Sequence, residues 1–219
     1  MQEHSPIVLL GGTFDPIHFG HLRTALELQQ HFGESAEVRL IPCGDPRHRS
    51  APKASGEHRL AMLRLALEGE PSLRIDEVEV RRTGASYTVD TLLELRQEVG
   101  NLRPLIFVMG TDAFESLPKW RRWLEIIQLA HIMVVNRPGW SFCEQGELGD
   151  FLRQHSAESN NDLIRQPAGK VGFITLTQMG ISSSKVRELI GLRLSPRFLL
   201  PDSVWRYIRQ HRLYGAVNA

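Results

Sequence analysis

Apolar residues along this chain follow two alternating rhythms. Short, nearly unbroken runs stand at residues 6–10 (PIVLL), 38–41, 105–109 (LIFVM), 131–135 and 171–176, and each reads as a buried strand. Between them the apolar positions recur at helical spacing. Leu22, Ala25, Leu26 and Phe32 do so over residues 20–32, Leu60, Leu63 and Leu67 from residue 56, and Val186, Leu189 and Ile190 over residues 183–190. Thr88 reads as the N-cap of a helix carrying Val89, Leu92, Leu93 and Val99, and a helix is expected over residues 123–130. Residues 73–80 read as extended, and Pro201-Asp202-Ser203 opens a last helix through Val204, Trp205 and Ile208. The polar stretch 139–169 reads as an insertion of one helix and loops, with an amphipathic piece near Phe151-Leu152.

Strands alternating with helices imply βαβ units with right-handed crossovers. The expected fold is therefore α/β, a Rossmann-like doubly wound parallel sheet with a small C-terminal helical part. One domain is expected over residues 1–219, with the sheet core in 1–180 and terminal helices in 181–219. In such sheets ligands sit beyond the carboxyl ends of the strands, so the segments after each strand are where chemistry is sought.

Composition narrows the partners. Lys plus Arg total 26 against 25 Asp plus Glu, a net charge of +1. That balance gives no basic excess for nucleic acid, and no apolar run is long enough for a bilayer. Cys43 and Cys143 are isolated, and no signal segment opens the chain, so a reducing cytoplasm is the expected location.

The turn after the first strand reads Gly11-Gly12-Thr13-Phe14-Asp15-Pro16-Ile17-His18-Phe19-Gly20-His21-Leu22. Glycines let a backbone approach a ligand closely, and the helix that follows presents N–H groups and a positive dipole end to an anion. His18 and His21, three apart, share one side of that turn and suit nucleotide phosphates. Taken alone, the pair reads first as two surface histidines on a glycine turn. A zinc site would need a third ligand, which no matching segment offers. The Walker and dinucleotide-fingerprint spacings are both absent.

Other strand ends add candidates. Ile181-Ser182-Ser183-Ser184-Lys185-Val186-Arg187 opens a helix with more hydroxyls than one cap requires, and Arg187 lies one turn in. Gly110-Thr111-Asp112 follows the LIFVM run, where Asp112 is either a ribose acceptor or an N-cap. Of Trp120 and Trp123 one is expected in the core; Trp120, after Pro118 and among cations, could offer an exposed ring, but from the residues alone a core position is its default reading. The helix opening at Ser86-Tyr87-Thr88-Val89 offers N–H groups to a small carboxylate. Arg47-His48-Arg49 and Arg137 follow two further strands as candidate phosphate ligands.

The twelve-residue turn resembles the signature of the nucleotidyltransferase superfamily with the His-x-Gly-His motif, and ISSSKVR resembles that superfamily's second ATP signature. With the loop at His48-Arg49, SYT at 86–88, GTD at 110–112, LPKW at 117–120 and NRPG at 136–139, the chain resembles bacterial nicotinate mononucleotide adenylyltransferases over nearly its whole length. It departs from them at Arg47, where a second proline is usual, and at Arg121, where an aromatic is often found. The resemblance implies adenylyl transfer from ATP, with Mg2+ carried by ATP and no protein-only metal site. It implies ATP contacts from Gly12, Thr13, Phe14, His18, His21, Arg49, Gly110, Asp112, Ile181, Ser182, Ser183 and Arg187, with His18, His21 and Arg187 as catalytic groups. It implies acceptor contacts from His48, Thr88, Val89, Trp120, Arg121 and Arg137, with a nicotinate ring stacked on Trp120 and its carboxylate held by main-chain N–H groups near Thr88, Val89 and Arg121. A sister enzyme acting on nicotinamide mononucleotide or phosphopantetheine, and a non-catalytic nucleotide sensor, are the competing expectations.

Overall fold

The computed structural model describes residues 5–44, 51–136, 145–159 and 161–217. The chain runs β1 (Ile7–Gly12), α1 (Phe19–Phe32), β2 (Glu37–Pro42), α2 (Gly56–Ala66), β3 (Leu73–Ile75), α3 (Val78–Arg81), α4 (Thr88–Val99), β4 (Leu105–Gly110), α5 (Thr111–Glu115), a 3-10 turn (Leu117–Lys119), α6 (Trp123–Leu129), β5 (His131–Asn136), α7 (Gly146–His155), α8 (Asp162–Arg165), β6 (Val171–Thr175), α9 (Ser183–Gly191), α10 (Asp202–Gln210) and a closing 3-10 turn (Leu213–Gly215). The strands form one six-stranded sheet in the order β3-β2-β1-β4-β5-β6. β1 pairs parallel with β4, β4 with β5 and β5 with β6. This is the doubly wound α/β sheet that the alternating rhythm predicts. Its strand order reverses between β1 and β4, where such sheets bind ligands.

Three expectations change. The extended reading of 73–80 holds only for Leu73–Ile75. Asp76 donates its N–H to the Leu40 carbonyl at 3.0 Å, and its Oδ1 accepts from Val78 N at 3.1 Å. That local side-chain turn starts α3 and overrides the β-branched pair Val78 and Val80. Thr88 is the first helical residue rather than the N-cap. The cap is Tyr87, with extended backbone, whose carbonyl takes the N–H groups of Asp90 and Thr91 at 3.0 and 3.1 Å. The 139–169 stretch holds α8 as well as α7, because the Asp162 carboxylate accepts the N–H groups of Glu158 and Ser159 and turns the chain into a second short helix.

The chain packs as two compact units. One comprises Met1–Gly11, Gln29–Arg39 and Tyr87–Leu176; the other comprises Gly12–Leu28, Leu40–Ser86 and Thr177–Ala219. In the first, fully buried Ile7, Val8, Leu9, Leu105, Ile106, Ile132, Met133 and Val134 make the sheet core, which matches their unbroken apolar runs. Polar locks hold the loops that enter β4 and β6. Buried Arg96 donates Nε to Leu129 O at 2.7 Å, Nη1 to Gly100 O at 3.0 Å and Arg103 O at 2.7 Å, and Nη2 to Pro167 O at 2.6 Å. Fully buried His131 accepts Lys170 N at Nδ1 (3.1 Å) and meets Gln166 O at Nε2 (2.8 Å), so it is neutral with its proton on Nε2. In the second unit α2 packs against α10, and the Ser203 hydroxyl donates to Leu65 O at 3.0 Å. No helix among the described residues is long and apolar enough to cross a membrane.

Replacing Arg96 by Met keeps the stem and strands four carbonyls. Denaturant unfolding is expected to show a loss of about 3 kcal/mol, the scale for removing charged hydrogen bonds to buried acceptors. An unchanged midpoint would dismiss the lock.

Candidate active site

The turn after β1 is built from backbone and buried side chains. Phe14 adopts a left-handed backbone (φ 47°) and is 1% exposed. Its ring lies over Gly12, where an added Cβ would sit 2.6 Å from Phe14 Cε1, so residue 12 has no room for a side chain. The edge of the His21 ring meets the Phe14 ring at 5.0 Å between centroids. His18 and His21 stack with centroids 3.7 Å apart and planes 21° apart, which realises the three-residue spacing.

Both imidazoles are neutral in this state. Burial pushes His18 down to about 4, and burial together with the repulsion of His18 pushes His21 down to about 3. Neither Nδ1 has a hydrogen-bond partner among the described residues. With Nδ1 of each ring buried, Nε2 is the ring nitrogen through which a ligand could be met. At the start of α1 the Phe19 N–H is already taken by Leu199 O at 3.0 Å. The start of α1 therefore offers one free N–H fewer than the sequence suggests.

The serine-rich segment meets this turn. Ser182 caps α9 by accepting Lys185 N at 3.1 Å. The Ser183 hydroxyl donates to Pro16 O at 2.9 Å, and Arg187 donates Nη1 to Asp15 O at 2.6 Å and Nη2 to Ser184 Oγ at 3.2 Å. Ile181 N donates to Met179 O at 2.7 Å just before the helix. Two segments about 170 residues apart in the chain are thus joined directly. The Ser183 hydroxyl proton is engaged within the protein, which leaves that residue's N–H as the group able to face an anion.

Asp15, 3% exposed, holds the assembly together. Its carboxylate accepts Lys53 N at 2.8 Å, Ala54 N at 3.1 Å and the Tyr214 hydroxyl at 2.7 Å, with Arg187 Nη1 at 3.7 Å. Burial and the neighbouring carboxylate push the Tyr214 phenol far above its ordinary range, so it remains a donor. Sequence reading missed Asp15, Arg59 and Tyr214. Asp15 lay inside the quoted motif but was treated as part of the turn. Arg59 sits on a helix whose apolar stripe drew the attention. It is 2% exposed and donates to the carbonyls of Thr13, Cys43 and Gly44. Nothing in local spacing ties Tyr214 to Asp15.

The remaining described candidates lie in the other unit. Gly110 is the N-cap of α5, and Asp112 is its exposed second residue, so the capping alternative for Asp112 falls away. Trp123 is the core tryptophan at 8% exposure, whereas Trp120 is only half-buried. Trp120 Nε1 donates to Ser116 Oγ at 3.2 Å, and its ring meets Phe107 edge-on at 6.3 Å. Among the described residues the N–H groups of Thr88 and Val89 at the start of α4 meet no acceptor, since the Tyr87 carbonyl serves the two residues after them. Exposed Arg121 lies over the Tyr87 ring, 4.7 Å from its centroid. His48, Arg49 and Arg137 fall outside the described residues.

Comparison with known proteins places this geometry. Residues 9–189 match the cytidylyltransferase-like family model. A Cellvibrio japonicus protein named "Probable nicotinate-nucleotide adenylyltransferase" is 49% identical over 94% of this chain and 97% of its own length. A Marinomonas protein of the same name is 47% identical over 96% of this chain and 95% of its own. The fold is also similar to that of a Plasmodium falciparum nicotinic acid mononucleotide adenylyltransferase complexed with NaAD, with a TM-score of 0.73 at 16% identity over 96% of this chain and 98% of that one. With its glycine turn, paired imidazoles and serine-capped clamp in place, the chain belongs to the nicotinate-nucleotide adenylyltransferase family, within the cytidylyltransferase-like group.

Proposed function

We propose that this protein transfers AMP from ATP to nicotinate mononucleotide, forming nicotinate adenine dinucleotide and pyrophosphate as a step in making NAD. The observation that carries the reading is the stacked, neutral His18–His21 pair on a turn clasped by Ser183 and Arg187, in a chain about half identical to its relatives over nearly their full length. The acceptor's phosphate is the nucleophile. Its second pKa is near ~6, so it is already ionised at neutral pH and needs no general base. An oxygen of that phosphate bonds to the α-phosphorus of ATP while the bond to the bridging oxygen breaks, and pyrophosphate leaves with the electron pair.

The chemical difficulty is repulsion between two polyanions, so the residues act by position and charge. Nε2–H of His18 and His21 donates to α-phosphate and bridging oxygens as charge builds there. Gly12, Thr13 and Phe14 bring backbone close to the nucleotide. Arg187, with donors left beyond its two internal bonds, and the N-terminal end of α9 at Ile181, Ser182 and Ser183 hold the departing pyrophosphate, joined by Arg49. Gly110 and Asp112 serve the ATP ribose. Trp120 stacks on the acceptor's ring. The orphan N–H groups of Thr88 and Val89, with main-chain N–H at Arg121, take its carboxylate, and His48 and Arg137 bind its phosphate. No group of three or more His, Cys, Asp or Glu side chains gathers among the described residues to make a protein-only metal site. Mg2+ would be carried in with ATP, held by phosphate oxygens and water. A cytoplasmic setting is consistent with Cys43 being unpaired.

Replacing His21 by Ala is expected to cut turnover roughly 10²–10⁴-fold, the range for a lost donor at a developing charge. Near-normal turnover in a pyrophosphate-release assay would remove His21 from the mechanism. Because the Thr88 and Val89 groups are donors only, the acid mononucleotide is expected to exceed the amide in kcat/KM by about tenfold or more, some 1.4 kcal/mol of preference. Parity between the two acceptors would overturn the carboxylate site.

The imidazoles also set a pH dependence. Their folded pKa values lie below the unfolded value of 6.5, at about 4 and about 3, so the unfolded chain binds more protons across that interval. Stability is complete above pH ~6.5 and falls as pH drops toward 4, with at most about 1.4 kcal/mol per pH unit from each imidazole. Thermal melts of His21→Gln between pH 7 and 5 are expected to be flatter than those of the native protein; parallel curves would show that His21 is not buried neutral.

A further inference from the structure

Arg59 belongs to none of the motifs that identify the family, yet it is the largest of the almost fully buried side chains. Its guanidinium reaches two separate loops. Nη1 donates to Thr13 O at 2.9 Å and approaches Cys43 Sγ at 3.7 Å. Nη2 donates to Cys43 O at 2.7 Å and lies 3.4 Å from Gly44 O. The Cys43–Gly44 peptide is gripped from its other end as well, since Gly44 N donates to Glu79 Oε2 at 3.3 Å. Cys43 N in turn donates to Gly12 O at 2.9 Å. Gly44 is confined: a Cβ there would lie 2.3 Å from the Glu79 carbonyl oxygen.

The Thr13 contact has a directional consequence. In a trans peptide the C=O and the following N–H point in opposite directions. Drawing the Thr13 carbonyl toward Arg59 therefore turns the Phe14 N–H away from Arg59, to the opposite side of the turn. No acceptor among the described residues meets that N–H. Phe14 also holds a left-handed backbone, φ 47°, which costs a non-glycine residue roughly 1–2 kcal/mol and persists only where the surroundings impose it. A charged donor on the Thr13 carbonyl both imposes the conformation and polarises the peptide, making its N–H a stronger donor.

We propose that Arg59 is a positioning residue of the transfer reaction: it fixes the Thr13–Phe14 peptide so that the Phe14 N–H is aimed at a nucleotide phosphate, without touching the substrate itself. The inference rests on the adenylyl-transfer reading above. A lysine at this position keeps the charge but cannot reach carbonyls on both loops with a planar fork.

The test uses the full chain. With ATP and nicotinate mononucleotide, Arg59→Lys, normalised to the folded fraction by circular dichroism, is expected to lose about 10²-fold in kcat, the scale for one lost oriented donor, while KM for the mononucleotide changes by less than about threefold. In Arg59→Ala, added ethylguanidinium is expected to restore turnover at least about tenfold and ethylammonium to restore none, a distinction that bulk or charge alone would not produce. In the native protein, the Phe14 amide resonance is expected to shift and gain exchange protection on adding a non-hydrolysable ATP analogue. Unchanged kcat in Arg59→Lys, equal rescue by both amines, or a Phe14 amide indifferent to nucleotide would each overturn the role of Arg59. Absence of pyrophosphate release by the native protein would instead overturn the adenylyl-transfer reading.

Discussion

The carboxylate of Asp15 meets two backbone N–H groups, a phenol and a nearby guanidinium, and these come from Lys53 and Ala54, from Tyr214 and from Arg187. A carboxylate buried to this degree is tolerated only when its lone pairs are filled, and filling them draws three distant stretches of chain to one point. The same residue's carbonyl takes a further bond from Arg187. The glycine–histidine turn is thus tied down by an anion of the protein's own. Beside that anchor stand the left-handed backbone at Phe14, its ring over Gly12, and the serine hydroxyl on Pro16.

The two histidines are neutral for a separate reason, and in the proposed reaction that neutrality suits a highly charged ligand. Burial deprives the imidazoles of the water that would stabilise a cation, and their mutual stacking raises the cost of a second charge. A pair of permanent cations would bind the ground-state triphosphate tightly and gain little as the reaction proceeds. Neutral donors with fixed direction interact most strongly where charge increases, on the α-phosphate and the bridging oxygen. In that proposed reaction the full positive charge falls to Arg187, which is partly exposed.

Much of this was legible before any coordinates. The sheet was readable because buried parallel strands need unbroken apolar runs, and 105–109 and 131–135 have them. The glycine–histidine turn was readable as a unit because its glycines and histidines crowd into twelve consecutive residues. The rest depended on tertiary contact. Asp76 ends a strand through a two-residue side-chain turn that periodicity does not register. Arg59 looks like any helix arginine until the fold buries it under two loops. Tyr214 lies 199 residues from the carboxylate it binds. Local rules find elements and compact motifs; they do not find partners that meet only after folding.

The two sets of candidate residues are also built from different materials. Those for the nucleotide in the second unit are backbone groups and side chains locked by internal hydrogen bonds, so a substitution there disturbs several loops at once. Those for the acceptor in the first unit are a half-buried tryptophan, an exposed arginine over Tyr87 and two orphan N–H groups at a helix start. Their side chains can change without unmaking the fold. The departure at Arg121 from the family's usual aromatic falls on the tolerant side of that division. Its main-chain N–H is independent of the side chain, so the proposed carboxylate contact would not depend on that change, while the guanidinium over Tyr87 puts a cationic surface at the helix entrance where the family usually has an aromatic one.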